Sequence, residues 1–526
     1  MRRIFKDVER FMVRTPSLPI KTIIENTESS EDFEDLNLKN FECYRNQFEE
    51  AVFIGSHDLY NAMDQYIKGN RIGDKADLLN SLFKYFSRNC TRCTPFGLFS
   101  TVAFGKISSK PTSFVLKDSV IKRRPLIDLE WLFKVVFLYE SKYLELLNYT
   151  INESVAIYRK KAVLLSNLQG TDGEKIDKKT VNYSNAFDII MKAAEDYISY
   201  TEMVLTLKKA YPDVEKDTFH NYLHALIKEG FLISDLRPPL TINDQFQYFI
   251  HMLKKHNIDT NELVTIYNKI EKYATEEYGK KTEELLGIYR LMETVQKSKN
   301  YLTIDSTFDY QECNLNQKTI DKVNNLVNLF IRFNINDPVD LLSEYKNKFI
   351  EKYGLSRCVP LIELIDADTG LGYPEHYNGI RRNNNWGEYV NPWVKFFEKK
   401  YIEAVRQNKP IEIVDTELNN LEEGEVDVTQ FPKSMEIYFN YAMLEGKEVF
   451  YLSNIFGSTY AGKSFGRFSH LMENSREFYE NINSMYSNNE NSQFCEFTFL
   501  PSDLYTANVI RNTHGSTYET SITNIK

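Results

Sequence analysis

The sequence predicts an α+β fold of mixed, multi-subdomain architecture, with several helical segments and an embedded winged helix-turn-helix-like element. Three observations predict it. A chain of 526 residues exceeds what one hydrophobic core organises, so several packed units are expected. Apolar periods of 3.6 and of 2 alternate along the chain, as helices and strands within one mixed fold require. Between residues 200 and 236, two helical patterns, a Pro212-Asp213 turn and a short strand follow in the order of a helix-turn-helix with a wing.

The first region, residues 1–149, mixes short apolar runs with one clear helix. There Leu79, Phe83, Phe86 and Cys90 recur at i, i+4, i+7 and i+11, a core-facing stripe. At about 100° per residue, Arg88 and Arg92 project from the opposite face, and Lys84 extends them to a basic row. Like charges four apart repel by a few tenths of a kcal/mol, so the row is either plainly solvated or set to receive an anion. Thr94-Pro95 ends the helix, because a residue before proline is pushed out of the α region, and Gly97 permits a sharp exit. From Lys84 to Arg124 stand nine basic residues against Asp118 alone, in a chain whose total charge is −10. That local excess is either a solvated face or a phosphate-binding surface, where guanidinium forks hold oxygens in bidentate geometry.

The second region, residues 150–240, holds strands over 151–167, a further short strand, a helix near 186–194, and the helix-turn-helix-wing. In the second of its helices Phe219, Leu223 and Leu226/Ile227 share a face, and Gly230 precedes the strand. Its acidic residues and the absence of a basic recognition helix argue against DNA, while the wing edge suits a peptide added as a strand. The third region, residues 241–526, opens with helices over 244–300, where Leu263, Ile266/Tyr267, Ile270 and Tyr273/Ala274 keep the 3.6 period. Helices near 319–333 and 339–353 follow, then VPLIELID (359–366) as a buried strand and Asn-rich 482–493 as a surface loop.

Bulk features exclude several classes. A balance of 64 basic and 74 acidic residues argues against a nucleic-acid coat over the whole surface. The opening MRRIFKDVERFMVRTPSLPI lacks the apolar run of a signal peptide, and no stretch of about 18 apolar residues predicts a membrane span. Six scattered cysteines fit a reducing, cytoplasmic setting. Cys90-x-x-Cys93 is half of a zinc site, and His220 and His224 stand i, i+4 on a helix without a third ligand in view, so no metal site is predicted. GSTYAGKS (457–464) satisfies the phosphate-loop pattern. Only a short tail follows it, the candidate acid strand precedes it, and Gly466 falls in the first turn of the helix that must grip phosphates, so nucleotide binding is not expected.

Taken together, the spaced motifs resemble the lantibiotic dehydratase family, in its N-terminal glutamylating domain. Arg88-x-x-x-Arg92-x-Thr94-Pro95-Phe96-Gly97 is similar to that family's signature, and Arg14-Thr15-Pro16 to its opening strand. Asp128 before Leu129-Glu130-Trp131-Leu132, Asp305 ending an LTID strand, the block 349–374, Gly466-Arg467-Phe468 and LYTANVIRN (504–512) keep the family's order. The resemblance implies transfer of glutamate from glutamyl-tRNA onto Ser or Thr hydroxyls of a ribosomally made precursor peptide, with glutamyl-tRNA as co-substrate and no bound cofactor. It places Arg14, Arg88, Arg92, Thr94, Asp128, Asp305 and Arg467 in the glutamylation site. Lys84, Lys122, Arg123 and Arg124 would face tRNA, and the winged element would hold the leader peptide. The family's full enzymes continue past the last segment seen here, so elimination is expected from a separate protein, with a cyclase as a further partner. Two alternatives stay open: a peptide–aminoacyl-tRNA ligase that extends a peptide terminus, and an inactive, truncated leader-binding partner of a split dehydratase. Read without the resemblance, Asp128 and Asp305 are plain ion-pair partners.

Overall fold

The computed structural model describes residues 5–28, 45–70, 73–158, 160–164, 179–279, 282–333, 343–365, 369–372, 374, 392–414, 416–417, 432–458, 460–486, 495–499, 504–512 and 518–523. The chain divides into two compact units. The larger comprises Glu9–Leu315 and Ala461–Lys526, the smaller Met1–Val8 and Asn316–Tyr460.

In the larger unit the order is β1 (Arg10–Pro16), α1 (Ile20–Glu28), α2 (Arg45–Gly55), α3 (His57–Ile67), α4 (Lys75–Thr91), β2 (Ser100–Ser108), β3 (Ser113–Ile127) and α5 (Leu129–Tyr143). Asp74 caps α4 by accepting from the backbone N–H of Ala76 at 2.8 Å, and Asp128 caps α5 by accepting from Glu130 at 2.9 Å. A four-stranded sheet in the order β1-β2-β10-β3 forms the platform, β10 being Leu302–Asn316. β1 runs antiparallel to β2, and β10 antiparallel to β3, with Asp305 opposite Arg124. Against this platform lies one continuous apolar core that includes Phe53, Phe86, Phe99, Trp131, Leu132, Phe249 and Tyr273. Trp131 satisfies its indole N–H on the carbonyls of Met292 and Gln296, so a large aromatic is buried with no polar cost.

The winged element follows the sequence closely. It contains β4 (Asn148–Ile151), β5 (Val155–Tyr158), β6 (Lys161–Leu164), β7 (Lys179–Asn182), α6 (Asn185–Ala193), β8 (Ile198–Ser199), α7 (Tyr200–Ala210), α8 (Lys216–Lys228) and β9 (Leu232–Ser234). Ser199 and Glu202 form a reciprocal capping box on α7, and Phe219, Leu223, Leu226 and Ile227 are the buried face of α8. The helices α9 (Gln245–Lys255), α10 (Asn261–Thr275) and α11 (Thr282–Val295) come next, with Leu263, Ile266, Ile270 and Tyr273 buried as their period predicts.

The smaller unit carries α12 (Gln317–Phe333), α13 (Ser343–Tyr353), α14 (Leu361–Ile365), α15 (Pro392–Gln407) and the hairpin β11 (Glu436–Leu444) to β12 (Lys447–Ser458). Glu445 and Gly446 both take positive φ, the two-residue turn whose twist suits a hairpin. Its own core gathers Val323, Val327, Phe5, Met435, Ile437, Phe439 and Phe450. Back in the larger unit, a 3₁₀ turn (Gly466–Leu471), the helices Ser475–Tyr486 and Leu504–Ile510, and the parallel pair β13 (Cys495–Phe499) and β14 (Tyr518–Thr523) complete the chain. No helix among the described residues is long and apolar enough to cross a membrane.

Five sequence expectations change. The buried stripe of α4 is Leu78, Leu82, Phe86, Asn89 and Cys90, rotated from the predicted one, so Leu79 and Phe83 are half-buried. Arg92 lies beyond the last helical residue in an extended conformation, which breaks the basic row. Asp305 sits near the start of one continuous strand, because β10 runs on through the polar residues rather than breaking after it. VPLIELID forms the short helix α14 with Leu361 exposed; Pro360 opens it, where a missing N–H costs nothing, and Arg357 pairs with Glu363 at 2.9 Å. Its last residue, 366, lies outside the described residues. Residues 482–486 continue a helix instead of a loop, since Ile482 completes that helix's buried face; 487–493 lie outside the described residues.

Candidate active site

The site is built around Asp305, buried in β10. Arg467 grips it as a fork, Nη1 donating to Oδ2 at 2.6 Å and Nη2 to Oδ1 at 3.0 Å. His470 Nε2 stands 3.3 Å from the same Oδ2. Arg467 and His470 are three apart on a 3₁₀ turn, whose three residues per turn put both on one face. Gly466 opens that turn because a Cβ there would meet the Asn512 side chain at 2.6 Å. Burial alone would raise the Asp305 carboxyl, but His470 and Arg467 outweigh it and hold it below the usual carboxylate range.

Other predicted residues gather beside this pair. Arg14 on β1 places its guanidinium 5.6 Å from the centre of the Phe468 ring, and Arg467 approaches the same ring at 4.9 Å. Two cations from distant parts of the chain thus meet at one buried aromatic. The segment that follows the Thr-Pro-Phe-Gly turn is held from both sides. Thr15 on β1 bonds the Thr101 hydroxyl at 2.8 Å, and Ser17, just past β1, donates to the Leu98 carbonyl at 2.5 Å. From β10, Ser306 donates to the Ser100 carbonyl at 2.9 Å. Within the turn, Arg88 lies 4.8 Å over Phe96 and donates to the Thr94 carbonyl at 3.4 Å, while Phe96 stacks on Phe99. Arg92 and Thr94 are exposed at its rim. Surrounding protein raises the Cys93 thiol, and the Arg14 charge pulls against it.

Asp128 sits apart, inside the fold. Besides capping α5 it accepts from Asn508 Nδ2 at 3.0 Å, and burial raises its carboxyl. Asn508 in turn accepts from Leu129 N–H at 3.0 Å and from Arg511 Nη2 at 3.3 Å. Arg511, fully enclosed, also donates to the Ile127 carbonyl at 2.7 Å; burial, then the Arg467 charge, pulls its guanidinium down to about 10. A small pocket lined by Leu126, Arg467, Ser469, His470, Arg511 and Asn512 joins the two clusters. His470, Asn508 and Arg511 were not among the predicted site residues. The available signals were a histidine three residues after Arg467 and an arginine in the last conserved-order motif.

The predicted tRNA face needs one correction. Lys84, Lys122 and Arg124 are exposed, Lys122 pairing with Asp309. Arg123 is 2% exposed: it pairs with Glu50 at 2.5 Å, stacks 4.1 Å over Tyr273 and donates to that residue's carbonyl. Successive strand residues point to opposite faces, so Arg123 faces the core while its neighbours face water. The cysteine pair and the phosphate-loop pattern find no chemistry. Cys90 is buried, its thiol pushed up to about 12, and Cys93 is exposed, so the two are not a matched pair. Within GSTYAGKS, Gly457 and Ser458 end a strand of an antiparallel hairpin, and from Ala461 a turn and the 3₁₀ segment stand where a phosphate loop needs an α-helix.

A family model described as the N terminus of lantibiotic dehydratases matches residues 44–526. The chain belongs to that family. As a lantibiotic dehydratase N-terminal chain it is 30% identical to the subtilin biosynthesis protein SpaB of Bacillus subtilis, over 97% of its own length and 50% of that protein's. It is 28% identical to the nisin biosynthesis protein NisB of Lactococcus lactis subsp. lactis, over 88% and 47%. The chain spans about half the length of the curated relatives it matches. In fold it is similar to the tRNA-dependent lantibiotic dehydratase MibB of Microbispora sp. 107891, with a TM-score of 0.79 at 20% identity over 99% of this chain and 51% of that one. It is also similar to the TbtB glutamylation domain from thiomuracin biosynthesis, with a TM-score of 0.59 at 15% identity over 91% and 61%.

Proposed function

We propose that this chain transfers glutamate from glutamyl-tRNA to Ser and Thr hydroxyls of a ribosomally made precursor peptide. One observation carries the reading: Arg14 and Arg467 converge on Phe468, and Ser306, next to the Asp305 that Arg467 grips, reaches the Gly97 carbonyl of the turn that follows Arg88 and Arg92. The TbtB glutamylation domain has been solved with 5′-phosphodesmethylglutamycin, whose name carries a phosphate. Guanidinium forks suit the phosphates of an RNA end, and exposed Lys84 and Arg124 suit the rest of its backbone. In the reaction a peptide hydroxyl oxygen attacks the glutamyl ester carbonyl, the tetrahedral oxyanion collapses with cleavage of the bond to the ribose oxygen, and the proton lost by the peptide hydroxyl is delivered, by way of solvent, to that ribose oxygen. Such an oxyanion is stabilised by charges fixed in advance. Arg467, locked by Asp305, is such a charge, and Asp128 acts as a positioning residue through Asn508 and Arg511.

The winged element is the proposed leader-recognition site, and β7, paired among the described residues with β6 alone, offers an edge for strand addition. Elimination then falls to a separate domain. The test incubates the protein with labelled glutamyl-tRNA and the precursor peptide of its gene neighbourhood. Glutamyl adducts appear by mass with the wild type. Arg88→Ala and Arg92→Ala abolish them while leader binding survives; adducts persisting at wild-type levels in both variants reject the assignment.

A further inference from the structure

His220 and His224 are one helical turn apart on α8, and the fold supplies the third ligand that sequence spacing did not. Glu145, in the short 3₁₀ turn that leads into β4, brings Oε1 to 3.3 Å from His220 Nδ1 and 3.8 Å from His224 Nε2. One ligand atom from each residue lies within 4.8 Å of the others. Zinc bonds of about 2.0–2.1 Å in a tetrahedron set ligand atoms about 3.3 Å apart, so the cluster needs only a small closure to hold an ion.

We infer that Glu145, His220 and His224 form a divalent transition-metal site of the zinc class, clipping the turn before β4 to α8. Two imidazole nitrogens and one carboxylate oxygen are a donor set suited to Zn²⁺ and its neighbours rather than to Ca²⁺ or Mg²⁺. The i, i+4 histidine pair is the spacing by which a helix offers two nitrogens to one ion. The side chains of His224 and Glu145 are 46% and 59% exposed, which leaves the outer position to water. Three protein ligands with one open position are a recurrent zinc arrangement.

Tyr200 supports the assignment from inside. Its ring packs against both imidazoles, and its hydroxyl bonds His220 Nδ1 at 2.8 Å. The Nδ1 nitrogen thus has a polar neighbour where a metal would also bind through the ring lone pair. Turning the hydroxyl aside frees that lone pair for a metal. The ion then ties two segments, at 145 and 220–224, that the winged element must keep in register. Metal binding of this kind contributes directly to folding free energy.

The full chain, freed of metal, is titrated with Zn²⁺ against a chromogenic chelator. The wild type takes up one equivalent, and its melting temperature rises with Zn²⁺. In Glu145→Gln and His224→Ala affinity falls by at least about tenfold and the melting shift disappears, whereas His251→Ala, on α9, behaves as wild type. Co²⁺ loaded into the wild type shows the intense visible bands of a four- or five-coordinate ion, and those bands are lost in His224→Ala. His224 is half exposed, so its truncation leaves the fold intact, as circular dichroism verifies. Equal Zn²⁺ affinity in wild type and both ligand variants, or no Zn²⁺ taken up by the wild type, overturns the site.

Discussion

Asp305, on the inner strand β10, and Asp128, just past the end of β3, are both buried carboxylates, yet they carry opposite loads. Asp305 faces a fork and an imidazole, so its charge is stabilised and it locks Arg467 beside the ring that Arg14 also meets. Asp128 faces a helix N-terminus and an amide, and burial, the larger influence, raises its carboxyl. The same residue type thus serves in one place to fix a cation at the site and in the other to start a helix and hold Asn508. A shared family motif does not distinguish these roles; the partners do.

The largest expected effect separates them by stability. Asp305→Ala leaves Arg467 without its buried partner and costs about 3–5 kcal/mol. Asp128→Ala removes a helix cap and costs about 1–2 kcal/mol. Urea midpoints of both variants measure this, and an equal loss would erase the contrast. A smaller effect concerns acid. The folded carboxyl of Asp305 is depressed, so its stabilisation is present above the ordinary aspartate value of about 3.9 and is lost as pH falls through the lower folded value. Asp128 is raised, so its contribution is fullest below about 3.9 and fades as pH rises through the higher folded value. Between pH 6 and 3, Asp305→Asn therefore flattens the fall in urea midpoint, and Asp128→Asn steepens it. Slopes that change in the same direction for both would break the comparison.

The smallest effect uses the neighbouring strand. Arg124→Ala lowers tRNA affinity modestly and reduces its salt slope by about one, at unchanged stability. Arg123→Ala instead lowers the melting temperature, because it strands Glu50 in the core.

Much of this was legible in the sequence, and the gaps have physical causes. The winged element was readable because its caps, apolar faces and Gly230 all agree locally. The Arg88–Gly97 turn was readable because proline and glycine mark it. Arg123 was misplaced because three consecutive basic residues look like a surface run until strand alternation is imposed. VPLIELID was misread because a short apolar run does not distinguish strand from helix. Glu145, Asn508 and Arg511 escaped because their partners lie far away in sequence: Glu145 meets α8 only in the fold, and Arg511 bonds a carbonyl at Ile127.

Single-turnover formation of glutamyl-peptide by Arg14→Ala, Arg467→Ala and Asp128→Asn tests the central claim most directly, each at a temperature where it is fully folded. If cations fixed around Phe468 perform the transfer, both arginine variants lose about 10²-fold or more and Asp128→Asn stays within about threefold. Full activity in the arginine variants, with loss confined to Asp128→Asn, would contradict it.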